Sequence, residues 1–140
     1  MQAVVAWDMP IGVLVVDDSA LMRKHLCKLF DDDPEFEVLS EAGNGIEAIE
    51  RAEVLKPPLV VLDFQMPIMN GLDAAPRIIK TVPNVCFILF TMFGDGEMEK
   101  IAQTVGIHAV VHKDEVNKLI PTARFLFESQ RPVFKQPTID

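Results

Sequence analysis

Strict alternation of short strand-like runs with amphipathic segments limits what this chain can fold into. The runs cover residues 11–16, 36–42, 59–62, 85–90 and 109–111. Each is too short for a stable helix, and the apolar ones are rich in β-branched residues, which favours strands. Between them lie five segments with helical spacing. In residues 20–30, Leu21, Met22, Leu26, Leu29 and Phe30 form a stripe behind Ser19, which reads as an N-cap. Ile46, Ala48, Ile49 and Ala52 carry a second helix, which ends near Lys56-Pro57-Pro58 after a Gly43-Asn44-Gly45 turn. Residues 71–82 form a third, although Pro76 removes a backbone donor and should kink the helix or delay its start. Residues 97–105 form a fourth, with Gly106 at its C′ position. Residues 119–128 form a fifth, with Pro121 well placed in the first turn. Five such units predict an α/β fold: an open, doubly wound, five-stranded parallel sheet covered by helices on both faces. The domain is expected over residues 10–128, with an N-terminal extension at 1–9 and a loose C-terminal tail at 129–140.

Sites in open parallel sheets form outside the carboxyl ends of the strands. The residues at those ends are polar and follow apolar runs: Asp17 and Asp18, Asp63, Thr91, and Lys113. A carboxylate at the end of a buried strand costs free energy unless something compensates its charge. Three converging carboxylates repel, and a divalent cation relieves that. Oxygen-only ligands favour Mg²⁺, which keeps waters and recruits phosphate oxygens. A carboxylate beside Mg²⁺ is a competent nucleophile toward phosphorus. A lysine ammonium balances charge on a phosphoryl group in transit, and a threonine hydroxyl can donate to the bound group.

Composition excludes some alternatives. The 140 residues carry a net charge of −8, which argues against direct nucleic-acid binding. Cys27 and Cys86 do not make a disulfide framework and read as buried thiols. The first ten residues lack the basic region of a signal peptide, and no stretch reaches membrane-spanning length, so the cytoplasm is the expected compartment. His25, His108 and His112 are scattered without metal-ligand spacing. No Gly-rich phosphate loop occurs.

The motifs VLVVDDS, VVLDFQMPIMNGLD, ILFT and VVHKDE, at their intervals, resemble the receiver domain of bacterial two-component response regulators. The similarity is to the single-domain chemotaxis type and covers roughly residues 10–128. It implies a flavodoxin-like, receiver-type fold and a phosphorelay switch, not a turnover enzyme. By this resemblance Asp63 is the phosphoacceptor. Asp18, Asp63 and the backbone carbonyl of Gln65 would ligate Mg²⁺, with Asp17 helping through water. Lys113 would pair with the acceptor and then with the phosphoryl group, and Thr91 would carry the signal toward the fourth helix and fifth strand. The implied partners are a sensor histidine kinase or phosphotransfer protein and an output protein, with homodimerisation as a possibility. Ile101, Val105, Leu119 and Phe125 would then be either interface or core.

Some positions depart from the family pattern. Val110 stands where an aromatic ring is usual, and the chain has no Tyr. Met92 replaces a small residue and narrows access for donors. Phe93, with Gln65, occupies a position that tunes phosphoryl lifetime, and an apolar Phe93 predicts slow self-hydrolysis. Asp114 replaces a common proline, which removes the reason to expect a cis bond. Two other functions compete with the switch. A Mg²⁺-dependent aspartyl-nucleophile phosphatase would carry a second Asp where Gln65 stands. A degenerate, unphosphorylated receiver acting as an interaction module would tolerate loss of the acids, Thr91 and Lys113, all of which are present.

Overall fold

The apolar runs become five parallel strands in the order β2-β1-β3-β4-β5: β1 (Ile11–Val16), β2 (Phe36–Ala42), β3 (Leu59–Leu62), β4 (Cys86–Thr91) and β5 (Ala109–His112). The structure is a computed structural model and describes residues 9–130. Nearly all of the expected N-terminal extension and nearly all of the expected tail lie outside the described residues. The helices are α1 (Ala20–Asp31), α2 (Gly45–Leu55), α3 (Gly71–Thr81), α4 (Gly96–Thr104) and α5 (Leu119–Gln130). A 3₁₀ segment, Lys113–Lys118, joins β5 to α5.

Alternation along each strand builds two cores. Leu14, Val16, Val60, Leu62, Phe87 and Leu89 face α2, α3 and α4, where the small residues Ala48, Ala52, Ala74, Ala75 and Ala102 let the helices approach closely. Val13, Val15, Leu59, Val61, Ile88 and Phe90 face the other way, toward Leu26 and Phe30 of α1 and Leu119 and Ala123 of α5. Each fully buried large side chain contributes about 1.5–3 kcal/mol relative to exposure. Phe30 meets Phe36 edge-on, with centroids 5.3 Å apart. Above them Arg124 of α5 holds Asp33 at 3.0 Å and also pairs with Glu35, tying α5 to the α1–β2 loop.

The caps are local and readable. Ser19 accepts from the Met22 N–H, Asn44 from Glu47, Asn70 from Asp73 and Asp95 from Met98. Gly106 takes φ +94 after α4, a left-handed conformation suited to glycine. Pro76 does not delay α3, which starts at Gly71 and runs unbroken to Thr81. Its ring lies on the exposed face, where solvent can serve the carbonyl left without a donor.

Candidate functional site

Each site residue sits where a strand leaves the sheet. Asp17 follows β1, and its N–H donates to the Ala42 carbonyl at the end of β2 (3.1 Å). Asp63 follows β3 and donates to the Val16 carbonyl (3.0 Å), so the β1–β3 ladder holds its backbone. Thr91 closes β4 and Lys113 follows β5. Because β1, β3, β4 and β5 are neighbours, these residues meet on one edge of the sheet. Asp63, Thr91 and Lys113 line a cleft of about 740 Å³ with Asp18, Phe64, Gln65, Met66, Pro67, Asn70, Met92 and Phe93, and Asp17 lies buried behind it.

Lys113 lies at the centre of the charge arrangement. Its Nζ is 3.1 Å from Asp63 Oδ2 and donates to it, and it is 2.9 Å from Asp17 Oδ2. Asp17 is 1% exposed and Asp63 is 5% exposed. Asp17 Oδ1 accepts the Ser19 N–H (2.9 Å), whereas the wholly buried Oδ2 receives no aligned hydrogen bond. Asp17, for which the resemblance implied a role through water, makes a direct ion pair with Lys113. Burial alone would push the lysine down, but its contacts with Asp17 and Asp63 outweigh that and hold its pKa above the ordinary value. Asp63 moves the other way for an acid. Burial and the Asp17 charge push it up to about 6, against the pull of Lys113.

That shift has a consequence for stability. The ordinary aspartate value is 3.8 and the folded value is about 6, so the folded chain holds the proton more tightly. The contribution of Asp63 to stability is therefore fully present below the ordinary value and is lost as pH rises through the folded one. Asp63→Asn, which mimics the neutral acid, should raise the Tm of the metal-free protein by a few degrees at neutral pH. Thermal melts in chelator across the pH range would show this gain shrinking to nothing in acid. A gain that grew toward low pH would contradict it.

Carboxylate oxygens of Asp17, Asp18 and Asp63 lie within 4.8 Å of one another. An all-oxygen set with one buried oxygen lacking an aligned donor fits a hard divalent cation. Asp18 is exposed at the cleft mouth, and Gln65 is exposed beside it.

Thr91 is fully buried, and its Oγ1 accepts the Phe93 N–H at 3.2 Å, leaving its own hydrogen to donate. Phe93 is half exposed and meets Phe64 edge-on, with centroids 6.1 Å apart. Met92, also half exposed, lines the cleft. The histidines lie elsewhere in role. His108 Nδ1 accepts the Phe87 N–H (3.1 Å) and lengthens the β4–β5 ladder; its burial lowers its pKa. His112 Nδ1 accepts the Asp114 N–H (3.1 Å), and the Lys113–Asp114 bond is trans.

Two features of the site escaped the sequence reading. Gly71 opens α3 where the helical spacing put its start, but its role there was not foreseen: its N–H donates to the Phe64 carbonyl (2.9 Å). A Cβ there would lie 2.2 Å from the Asp63 carbonyl oxygen, so only glycine lets α3 close over the acceptor. The second is Ile68, at φ +72, where the Met69 N–H reaches the Pro67 carbonyl (2.7 Å) in a tight three-residue turn.

A five-stranded parallel sheet that gathers acids, a lysine and a threonine at one edge is the arrangement of receiver-type signalling domains. The chain belongs to the response regulator receiver domain family, whose profile matches residues 13–124. Over 86 residues it is 49% identical to a protein-glutamate methylesterase/protein-glutamine glutaminase of Pyrococcus horikoshii, a stretch covering 61% of this chain and 23% of that protein. The chain thus spans about a quarter of the length of the curated relatives it matches. The response regulator domain of Thermotoga maritima CheB superposes with a TM-score of 0.74 at 32% identity, covering 86% of this chain and 93% of that one. A chain of the CheX–CheY–BeF₃–Mg²⁺ complex from Borrelia burgdorferi gives 0.79 at 25% identity, covering 85% and 90%.

Proposed function

We propose that Asp63 accepts a phosphoryl group from a histidine kinase or phosphotransfer protein and that the modified domain changes its affinity for an output partner. The observation that carries this reading is the single ammonium of Lys113 shared between two buried carboxylates at strand ends. A carboxylate oxygen of Asp63 attacks phosphorus, the bond from phosphorus to the donor nitrogen breaks, and its electron pair returns to the imidazole. Asp17, Asp18, Asp63 and the Gln65 carbonyl would hold Mg²⁺, which supplies charge compensation for phosphoryl oxygens. Lys113 leaves its ion pair with Asp63 to meet the incoming oxygens, and the Thr91 hydroxyl donates to them.

The readout departs from an aromatic swing. The loop after Thr91 packs on β5: a Cβ at Gly94 would lie 3.3 Å from Val110 Cγ1 and 3.7 Å from His112 Cα. Movement of Thr91 therefore has a short path to β5 and α4. Of the four apolar residues on that side, Ile101 and Phe125 are exposed and open to a partner or second copy, Val105 is partly buried against the core and Leu119 is core. The reaction uses no bound substrate and turns over only through loss of the phosphoryl group, so the domain acts as a switch and not as a phosphatase. Among the described residues no helix is long and apolar enough to cross a membrane. A cytoplasmic setting, where the kinase and phosphotransfer chemistry resides, suits this reading.

Intact mass after incubation with acetyl phosphate and Mg²⁺ tests the proposal. One phosphoryl group is expected, absent in chelator and absent in Asp63→Asn. No adduct on a folded chain would overturn it.

Phe93 shapes the lifetime of that adduct. Its apolar ring packs on Phe64 over the cleft and cannot orient a water. Phe93→Glu should speed loss of the phosphoryl group by about tenfold or more, by supplying a base for water. A decay rate unchanged in the variant, followed by mass, would remove Phe93 from this role.

A further inference from the structure

Three carboxylates can share a cation only if their mutual repulsion does not turn them apart. Asp17 and Asp63 are buried and held by Lys113 and the strand ladders. Asp18 is different. It is exposed, and no hydrogen bond holds its carboxylate. With no such bond on its side chain among the described residues, its main chain, which shares a peptide plane with Asp17, is the part the fold can fix.

Arg23 holds that plane. From the first turn of α1 its Nη1 donates to the Asp17 main-chain carbonyl at 2.8 Å. Its Nε donates to Glu41 Oε1 at 3.0 Å, and Glu41 stands on β2, the neighbouring strand. The side chain is 22% exposed, so the guanidinium works in a partly desolvated position. The planar fork of arginine sets both hydrogen bonds from one rigid group, which an ammonium cannot do. Gly43 leaves room beside it: a Cβ there would come within 3.4 Å of Nη1.

We propose that Arg23, steadied by Glu41, is a positioning residue for the cation site: it fixes the Asp17–Asp18 peptide plane and thereby aims the Asp18 carboxylate. The inference rests on the phosphoacceptor reading above and concerns the same site.

The sign of one measurement separates geometry from charge. A cation beside three acids weakens their affinity for a second cation. If Arg23 acted only through its charge, Arg23→Gln would bind Mg²⁺ more tightly. If it positions Asp18, the same variant binds more weakly, by about tenfold. The dissociation constant is read from a Mg²⁺ titration followed by backbone amide shifts, well below the Tm of each variant. Arg23→Lys restores less than half of the loss on a logarithmic scale. Glu41→Gln weakens binding by a smaller factor in the wild-type background and by none in the Arg23→Gln background. Affinity equal to or tighter than wild type in Arg23→Gln overturns the proposal, as does an equal Glu41→Gln effect in both backgrounds. Should Arg23→Gln fail to fold, Arg23→Lys and Glu41→Gln decide: unchanged affinity in both overturns it. A wild-type chain that bound no Mg²⁺ would overturn the phosphoacceptor reading itself, and the inference with it.

Discussion

Lys113→Met should lower stability at neutral pH by about 2 kcal/mol and slow phosphoryl uptake from acetyl phosphate by about a hundredfold. The stability loss arises because Asp17 and Asp63, 1% and 5% exposed, lose the one ammonium between them. Removing one partner of a fully buried pair usually costs more, about 3–5 kcal/mol. Here Asp63 has an escape. Its pKa is already pushed up to about 6 by burial and by Asp17, and without the lysine it rises further. A proton then replaces the ammonium. The destabilisation should therefore shrink as pH falls through that raised value and be largest in base. The catalytic loss does not follow the same curve, because a protonated Asp63 is no nucleophile. Urea melts and adduct formation measured over the same pH range should diverge. Parallel profiles would mean that Lys113 matters only for folding.

The second large effect is expected where no charge is involved. Gly71→Ala should destabilise the domain by about 3 kcal/mol, an overpacking cost at the upper end of its usual range. The added Cβ would sit 2.2 Å from the Asp63 carbonyl oxygen and 3.1 Å from Leu62 Cγ. The obstacle is backbone, so no rotamer change relieves it. Either α3 slides or Asp63 moves, and uptake of the phosphoryl group falls because a displaced nucleophile loses its approach geometry. Gly96→Ala is the control. It too replaces a glycine at the first residue of a helix, and nothing lies within 4 Å of its Cβ. The alanine there should be neutral or slightly stabilising, as helix propensity alone predicts. Equal stability of the two variants in chemical denaturation would show that the close approach at Gly71 is not needed.

These two sites also show what the sequence makes legible. Strands were readable because β-branched runs such as residues 59–62 are too short and too apolar for anything else, and their polar ends announced Asp17, Asp18, Asp63, Thr91 and Lys113 as a set. That information is local and needs no partner. Gly71 was readable as the start of a helix and as half of an Asn-Gly step, and neither reading says why glycine is needed there. Its real constraint is the distance to a carbonyl eight positions earlier, which only the packed fold reveals. Asn44 and Asn70 were likewise read as turns, although each caps a helix. Arg23 left no trace in the pattern: on α1 it reads as an ordinary polar position, and its partners come from β1 and β2. Ile68 runs against propensity, since a β-branched residue disfavours φ +72. Pro76 looked like a conflict because period and propensity cannot say which side of a helix solvent will reach.

The order of assembly follows from the separation of Asp63 and Lys113, 50 positions apart along the chain. Along the chain the acceptor, both neighbouring acids and the threonine all precede the lysine. Only when β5 docks against β4 does the last charge arrive. Until that strand docks the acceptor is without its counter-ion, so full responsiveness to a donor comes with the closing edge strand.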